Sequence, residues 1–311
     1  MGSAHGHSHS LDRRSGRLAG ALGITFVYMI AEGIGGWLTN SLALIADAGH
    51  MLTDVAALGL TLGAIWFAAK PATAKKTFGW YRLEILAAFV NGLVLVLLSI
   101  WVIYEAVERW QSPPQVLGTQ MTIVAVGGLI ANILAAWLLH ADHHHDLNLR
   151  GAWLHVMGDM LGSIAAIIAG VLIISAGWLW ADPVTSILIS AIIIISAIRL
   201  VLDSVNILLE GTPAHIDLSS ISSSLMTLDG VAGVHDLHVW TISSGRDALS
   251  VHITHGGDTI HSELLSRVRE RLQGEFGIDH LTIQMETPER EAEALYVCET
   301  GTQCFEPAKQ H

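Results

Sequence analysis

Long apolar segments alternate with short polar connections between residues 17 and 208. Six of these segments are long enough for an α-helix to cross the roughly 30 Å hydrocarbon core of a bilayer. Several are rich in glycine and other small residues, which favour close packing of membrane helices. The pattern therefore predicts six transmembrane helices. Their approximate bounds are residues 17–38, 41–69, 82–108, 116–140, 151–176 and 182–208.

The pattern changes after Gly211-Thr212-Pro213, where the composition becomes that of a soluble domain. Two segments alternate between apolar and polar residues as strands do, and the polar residues 244–247 supply a turn between them. The order helix, strand, strand, helix, strand predicts a small α+β domain with its helices on one face of a sheet. The predicted elements are a helix at 219–228, strands at 234–243 and 249–254, a helix at 259–276 and a strand at 281–286.

These changes divide the chain into four predicted parts. A polar, histidine-containing tail occupies residues 1–16, and a six-helix transmembrane domain occupies residues 17–211. The α+β domain occupies residues 212–287, and an acidic, cysteine-containing tail occupies residues 288–311. The predicted fold class is an α-helical membrane protein with six transmembrane helices, followed by an α+β domain.

The composition agrees with a membrane protein that carries a soluble part. Hydrophobic residues make up 51% of the 311 residues and charged residues only 14%, with a mean hydropathy of +0.50. Soluble domains contain about 25% charged residues. The formal net charge of −12 argues against a nucleic-acid partner, because binding to phosphates requires a basic surface. It suits a protein that handles cations.

Basic residues flank the apolar segments on one side of the predicted membrane domain. The connections on the other side, residues 37–41, 111–115 and 177–182, contain no Lys or Arg. Positively charged residues concentrate on the cytoplasmic side of membrane proteins, so both termini are predicted to be cytoplasmic in a multi-pass protein of the inner (plasma) membrane. The basic residues are Arg13, Arg14, Arg17, Lys70, Lys75, Lys76, Arg82 and Arg150, and Trp37, Trp110, Trp178 and Trp180 mark the opposite interface.

The same pair of polar residues interrupts two of the apolar segments. His50 and Asp54 are four residues apart in the second predicted span. His155 and Asp159 have the same spacing in the fifth. Residues four apart share one face of a helix, and each charged group at bilayer depth costs roughly 2.5–3.5 kcal/mol on insertion scales. A divalent metal ion held by two imidazoles and two carboxylates would offset this cost, and such tetrahedral N and O ligands suit Zn²⁺.

The alternative is that these residues are structural ion pairs or hydrogen-bonded core residues. The repetition of one spacing on two separate spans favours the metal site. Asp47 lies on nearly the same face as Asp54, and we predict that it orients His50 through the second ring nitrogen. Glu32, Asn91 and Asn132 either line the same cavity or bridge helices, and the sequence does not separate these roles.

A metal site of this kind also predicts a coupling ion. Metal binding requires deprotonated His and Asp side chains, so protons and metal compete for the same atoms. Histidine titrates near neutral pH. A site that opens alternately to the two sides of the membrane could therefore release metal and reload with protons. The hypothesis is proton-coupled antiport of zinc out of the cytoplasm.

The motifs that carry a family resemblance are Ser41-Leu42-Ala43-Leu44, residues 47–54, 78–84 and 155–159, Asp182-Pro183, Asp203-Ser204-Val205 and residues 235–240. Together they resemble the cation diffusion facilitator family, in its zinc-exporting branch, over nearly the whole chain. The resemblance implies a homodimer, a ferredoxin-like cytoplasmic domain that senses metal and dimerises, and a two-His, two-Asp transport site. It also implies alternating access and exchange of Zn²⁺ for H⁺, and His50 implies a preference for zinc over cadmium.

The resemblance implies two further sites. A charge interlock maps onto Arg82 and Glu210, for which the alternative is two solvated charges at the membrane interface. A zinc site in the cytoplasmic domain, where Zn²⁺ would act as a regulatory ligand, would use residues on the strands and on the last helix. Gln284 stands where some members have a histidine, so we expect a reduced site, with surface or core histidines as the alternative. Its predicted ligands are His235, His252, His261 and Glu286.

Other histidines and cysteines could bind metal weakly. A histidine-rich loop at residues 140–146 and the N-terminal histidines could raise the zinc concentration near the transport site. Cys298 and Cys304 could capture metal, although their spacing is not that of a zinc knuckle. The N-terminal histidines are His5, His7 and His9, and the loop contains His140, Asp142, His143, His144, His145 and Asp146.

Three other functions are compatible with parts of the pattern. One is export mainly of Cd²⁺, Co²⁺ or Ni²⁺, whose ligand preferences overlap those of zinc. Another is a signalling protein that senses metal through its cytoplasmic domain. The third is a membrane-embedded zinc hydrolase, but the chain has no His-Glu-x-x-His motif, and four protein ligands leave no open position for a reactive water. The chain is therefore predicted not to be an enzyme.

Overall fold

A computed structural model describes the backbone of residues 6–68, 73–140, 147–243, 245–256 and 260–287. Within these ranges, the side chains of residues 6–19, Asp54, 57–68, 139–140 and 147–155 are not described. The elements in chain order are α1 (Gly6–Thr39), α2 (Leu42–Ala68), α3 (Arg82–Gln111), α4 (Gly118–His140), α5 (Leu147–Ala176), α6 (Ala181–Leu208), α7 (Leu218–Met226), β1 (Val231–Ser243), β2 (Arg246–His255), α8 (His261–Phe276) and β3 (His280–Glu286).

The six predicted membrane helices correspond to α1 to α6. Among the described residues, five helices are long and apolar enough to cross a membrane, and they belong to α1, α3, α4, α5 and α6. The backbone of α2 is helical over 27 residues. Its apolar segment Leu42–Thr53 is the part in which every side chain is described. The prediction of an α-helical membrane domain followed by a small α+β domain is confirmed.

The described residues of the membrane helices have a core of small and branched apolar side chains. Leu44 of α2, Leu95 of α3, Met121 of α4 and Ile193 of α6 belong to one buried cluster. Many large apolar side chains point outward instead, and Trp137 is 72% exposed. This arrangement is expected where lipid tails rather than water surround the helices, because lipid does not oppose exposed apolar surface.

One buried carboxylate joins α6 to the start of α2. Asp182, in the first turn of α6, is fully buried. Its Oδ1 accepts hydrogen bonds from the Ser41 hydroxyl at 2.5 Å and from the Ala43 N–H at 3.2 Å, while its Oδ2 accepts one from the Leu42 N–H at 2.9 Å. Asp182 therefore satisfies N–H groups that the first turn of a helix cannot pair internally. It fixes the N-terminus of α2, the helix that carries His50.

A second polar contact closes the same end of the membrane domain. Arg109 of α3 donates from Nη1 to the Asn40 carbonyl oxygen at 2.6 Å and from Nη2 to the Asn40 Oδ1 at 3.0 Å. Asn40 has a positive φ of 58°, which lets the chain reverse directly between α1 and α2. Trp110 and Trp180, predicted for this interface, stack with ring centroids 5.6 Å apart.

The C-terminal α+β domain contains a three-stranded sheet in the order β1-β2-β3. β1 pairs antiparallel with β2, and β3 pairs parallel with β2 after the crossover through α8. The apolar sides of α7 and α8 share one buried cluster with the strands, which includes Ile221, Leu249 and Leu264. Both paired strands begin earlier than predicted, β1 at Val231 and β2 at Arg246, because Val231 still pairs with His255 and Arg246 with Ser243 along the ladder.

Asp217 caps the N-terminus of α7. Its carboxylate accepts hydrogen bonds from the N–H groups of Ser219 at 3.1 Å and Ser220 at 3.2 Å, and from the Ser220 hydroxyl at 2.6 Å. The Ser220 hydroxyl, followed by the Ser219 N–H, lowers the pKa of Asp217, because both donate to the ionised form. This cap fixes the start of the first helix after the membrane domain.

Candidate metal centres

Two of the predicted transport ligands meet between α2 and α5. The His50 Nε2 lies 3.7 Å from the Asp159 Oδ1. The Asp159 side chain is 4% exposed and the His50 side chain 28% exposed, so the contact lies inside the membrane domain but is open on one side. The side chains of Asp54 and His155 lie outside the described residues. The structure thus brings together one member of each pair, and the full four-residue set stays a prediction.

Polar contacts hold the helix segment around His50. The Thr53 hydroxyl donates to the His50 carbonyl oxygen, and the Asn91 side-chain amide of α3 donates to the Thr53 carbonyl oxygen at 3.3 Å. The Asn132 amide of α4 lies 3.5 Å from the Ser163 hydroxyl of α5. Of the two roles that the sequence left open for Asn91 and Asn132, bridging between helices is therefore the one that these contacts favour.

Asp47 lies one turn before His50 and is 3% exposed. It contacts α5 at Gly162, where a Cβ would lie only 2.9 Å from the Asp47 Oδ1. Glycine at this position is what allows the carboxyl group to approach α5. The predicted role of Asp47, orienting His50, stays a prediction, and the approach to Gly162 is a feature that the spacing along α2 did not reveal.

A second cluster lies on the sheet of the C-terminal α+β domain. His235, His252 and Glu286 each offer a ligand atom, and these atoms lie within 4.8 Å of one another. His235 pairs directly with His252 across β1 and β2, and Glu286 pairs with Thr254, two residues further along β2. Residues two apart in a strand face the same side, so the three side chains project together.

The donor atoms of this cluster suit a metal ion. The Glu286 carboxylate lies 3.2 Å from the His235 Nε2 and 3.1 Å from the His252 Nδ1. Yet both ring nitrogens of His235, the His252 Nδ1 and the Glu286 Oε2 have no hydrogen-bond partner among the described residues. Buried polar atoms are normally paired. Converging imidazole nitrogens and a carboxylate are the ligands that zinc prefers.

His261 and Gln284 take other positions. The His261 ring lies against His255, with centroids 5.3 Å apart, instead of joining the three-residue cluster. The Gln284 amide donates to the Glu286 Oε1 at 2.5 Å, so it orients the carboxylate of the cluster. Of the four predicted cytoplasmic ligands, the described residues therefore bring together His235, His252 and Glu286.

Asp236 is a neighbour of this cluster that the sequence did not single out. Its φ of 50° is unusual for an aspartate, and the β1–β2 register shifts between His235 and His238. This bulge turns the carboxylate toward the His238 Nε2 at 3.0 Å and the His252 Nε2 at 3.5 Å. A regular strand would have directed Asp236 away from the face that carries His235. The sequence therefore offered only one sign of this contact, the presence of an acidic residue within the His-Asp-Leu-His motif.

Comparison with known proteins identifies the family. Residues 18–209 match the family model described as the cation efflux transmembrane domain. Residues 213–288 match the model described as the cation efflux protein, cytoplasmic domain. The chain belongs to the cation efflux family. Its resemblance to cation diffusion facilitators is thereby confirmed.

Similar proteins span nearly the whole chain. The cadmium, cobalt and zinc/H(+)-K(+) antiporter of Bacillus velezensis is 44% identical over 311 residues, covering 97% of each chain. The zinc transporter ZitB of Escherichia coli is 45% identical and covers 91% of this chain and 92% of its own length. The metal cation efflux system protein CzcD of Cupriavidus metallidurans is 42% identical, covering 92% and 90% respectively. These relatives are transporters, so the prediction that the chain is not an enzyme is confirmed. It is a multi-pass membrane protein for divalent cation efflux.

Within this cation efflux protein, the motif at residues 78–84 contacts residues that follow α6. The Arg82 Nη2 donates to the Glu210 Oε1 at 2.8 Å, and the Arg246 Nη1 donates to the Tyr81 hydroxyl at 2.8 Å. The Arg82 and Glu210 side chains are 43% and 61% exposed. An exposed pair contributes only about 0.2–1 kcal/mol to stability. Its role as a dimer interlock stays a prediction.

Several predicted metal-binding residues lie outside the described part of the cation efflux chain. They belong to the N-terminal tail, to the histidine-rich loop between α4 and α5, and to the C-terminal tail. Their predicted weak metal binding stays a prediction. These residues are His5, His7, His9, Asp142, His143, His144, His145, Asp146, Cys298 and Cys304, together with the side chain of His140.

Proposed function

We propose that this cation efflux protein exports Zn²⁺ from the cytoplasm in exchange for protons, through a site formed by His50, Asp54, His155 and Asp159. The observation that carries the proposal is the approach of His50 on α2 to Asp159 on α5 inside the membrane domain. Each of these residues belongs to one of two identically spaced His-Asp pairs. Zinc appears in the names of two relatives, the Bacillus antiporter and ZitB.

The helical repeat supports all four ligands. Two membrane crossings, α3 and α4, lie between α2 and α5, so α2 and α5 run antiparallel in a multi-pass protein. A contact between His50 and Asp159 then sets a register in which the residue four positions after His50 lies level with the residue four positions before Asp159. Those residues are Asp54 and His155. Two imidazole nitrogens and two carboxylate oxygens form the tetrahedral set that zinc prefers.

Proton exchange follows from the chemistry of the same groups. A neutral imidazole or an ionised carboxylate binds metal, and the protonated form does not. The release of Zn²⁺ on one side therefore leaves atoms that bind protons, and the loss of those protons on the other side restores the metal site. The Bacillus antiporter has H(+) in its name, which agrees with this exchange.

Other divalent cations are the second candidate substrate. The names of the relatives include cadmium and cobalt, and the ligand preferences of Co²⁺, Ni²⁺ and Cd²⁺ overlap those of zinc. Two nitrogen and two carboxylate ligands without thiolates favour Zn²⁺ over the softer Cd²⁺. Zinc is therefore the main substrate in this proposal.

The proposal also assigns orientation and assembly. Both termini and the histidine-rich loop lie in the cytoplasm, because Lys and Arg concentrate at that end. In this proposal the membrane domain comprises residues 17–211 and the cytoplasmic domain comprises residues 212–287. The cytoplasmic domain forms a homodimer, in agreement with the family of its matching domain. Its three-residue cluster would bind a regulatory Zn²⁺. Because one ligand comes from each of β1, β2 and β3, the ion would link the three strands. The three residues are His235, His252 and Glu286.

Proton coupling can be tested in sealed proteoliposomes that contain a pH indicator. An inward Zn²⁺ gradient across vesicles with the wild-type protein should move Zn²⁺ in and protons out, so the pH inside the vesicles should rise. Asp159→Asn should abolish both movements, because an amide neither carries a negative charge nor takes up a proton. Glu108→Gln is the matched control, since Glu108 is an exposed acidic residue of α3. Zinc movement that is indifferent to an imposed pH gradient would refute the exchange.

A further inference from the structure

Glu32 is a buried acidic residue in the middle of the membrane domain. It lies on α1 and is 0% exposed. Neither of its carboxyl oxygens has a hydrogen-bond partner among the described residues. The sequence contains no Lys or Arg between residues 18 and 69, so α2 up to Ala68 and the part of α1 after Arg17 contain no basic residue to balance it. A buried acidic group without donors is unfavourable in an apolar medium.

The hydroxyl of the neighbouring tyrosine donates to the backbone. Tyr28 lies one turn before Glu32 on α1. Its hydroxyl donates to the Val124 carbonyl oxygen of α4 at 2.9 Å. A tyrosine hydroxyl has one proton to donate, and that proton is engaged in this bond.

The other polar neighbour is a second carboxyl group. Gly33 of α1 lies against Ala48 of α2, since a Cβ at Gly33 would be 3.7 Å from the Ala48 Cβ, and the preceding residues Glu32 and Asp47 are therefore at the same level of the two helices. Asp47 interacts electrostatically with Glu32. Asp47 is itself buried, and its Oδ1 approaches α5 so closely that only glycine fits at position 162. Carboxyl oxygens from α1 and α2 thus converge against α5, one turn of α2 from His50.

We infer that Glu32 and Asp47 form a second divalent-cation site, adjacent to the contact between His50 and Asp159. The structural basis is independent of the proposed function, and only the direction of travel rests on it. Asp47 precedes His50 on α2, toward the end that carries the α1–α2 turn, which is the side where the proposed exporter releases its ion. Carboxylate oxygens alone hold zinc less tightly than a site with imidazoles. An ion that moves from His50 and Asp159 to Glu32 and Asp47 is therefore held progressively less tightly before release.

The test is a count of bound ions in the full chain. Wild-type protein in lipid nanodiscs is titrated to saturation with ⁶⁵Zn²⁺ by equilibrium dialysis, beside Glu32→Gln, Asp47→Asn and the control Glu108→Gln. The amide variants keep the shape of the carboxyl group but remove its charge. Each should bind one Zn²⁺ fewer per protomer than the control, and Glu32→Asp should restore the ion. Thermal unfolding identifies any variant that fails to fold, in which case the remaining variant decides.

An unchanged number of bound ions in a folded Glu32→Gln protein would overturn the inference, even if transport slows. That result would mean that the two carboxyl groups share a proton and have a structural role. The same titration in a His50→Ala, Asp159→Ala background separates this inference from the proposed function. The loss of one ion on Glu32→Gln should persist there. If zinc flux survives His50→Ala while Glu32→Gln still loses an ion, the proposed transport site fails and the second site stands.

Discussion

The substitution Asp182→Ala tests how the end of α2 is held. The Asp182 carboxylate accepts three hydrogen bonds from consecutive residues at the start of α2. Removing it leaves the N–H groups of Leu42 and Ala43 and the hydroxyl of Ser41 inside a fully buried region. Because Ser41, Leu42 and Ala43 are themselves fully buried, water has no free access to replace the lost acceptor.

The expected loss of stability can be worked out from these contacts. A buried donor left without a partner costs about 1–3 kcal/mol. Two orphaned backbone N–H groups therefore cost about 2–6 kcal/mol, and the Ser41 hydroxyl can turn to another acceptor. Ser41→Ala removes the bond to Asp182 and also the acceptor of the Leu44 N–H at 3.3 Å, so it strands one N–H and should cost about 1–3 kcal/mol. Asp182→Asn should cost less than Asp182→Ala, because its amide keeps one acceptor oxygen.

The assay is unfolding of the full chain in mixed micelles, followed by tryptophan fluorescence. Trp180 lies two residues before Asp182 and stacks on Trp110, so its fluorescence should respond to changes in this region. Asp203→Ala is the matched control, because Asp203 is an exposed aspartate of the same helix. If Asp182→Ala unfolds within about 1 kcal/mol of Asp203→Ala, the inferred capping of α2 by Asp182 is wrong.

Three further predictions concern the cytoplasmic side. Arg82→Glu should weaken dimers measured by light scattering while changing the stability of the fold by less than about 1 kcal/mol, because the pair is exposed. Adding Glu210→Arg should restore the dimers. His235→Ala should reduce the increase in melting temperature that Zn²⁺ gives the chelator-treated full chain, whereas exposed His280 can be replaced without this reduction. Asp217→Ala should lower the melting temperature at neutral pH, and the difference from wild type should close as the pH falls below about 4. The pKa of Asp217 is lowered in the folded chain, so its contribution is present above the unfolded pKa and is lost as the pH falls through the folded pKa.

Each of these predictions has an opposing result. Dimers that survive Arg82→Glu would leave the pair as two solvated charges. An undiminished response to Zn²⁺ in His235→Ala would exclude this histidine as a ligand. A constant difference between Asp217→Ala and wild type down to strongly acidic pH would show that the cap does not act through its charge.

The membrane helices could be predicted from sequence because their signal is local. An apolar segment long enough to cross a bilayer needs no distant partner to be recognised. The same is true of the His-Asp pairs, since a spacing of four residues on a helix fixes a common face. The contact of His50 with Asp159 is the additional fact that the structure supplies.

Contacts between distant residues could not be predicted in this way. The sequence gives no sign that Asp182 accepts from residues at the start of α2, because nothing local to α6 encodes that approach. In the sheet, strand alternation placed His252 on one predicted strand and Glu286 at the end of another. It could not reveal the bulge at Asp236, because one residue with a positive φ reverses the direction of the side chain without changing the composition.

Zinc flux is the most direct test of the transport site. ⁶⁵Zn²⁺ uptake into proteoliposomes at controlled pH should be measured for the wild type, for each single alanine variant of the four ligands and for Glu108→Gln. The four ligands are His50, Asp54, His155 and Asp159. Each alanine variant should reduce uptake to the level of empty liposomes, while Glu108→Gln transports like the wild type. Uptake at the wild-type rate by the protein with all four ligands replaced would contradict the proposed site.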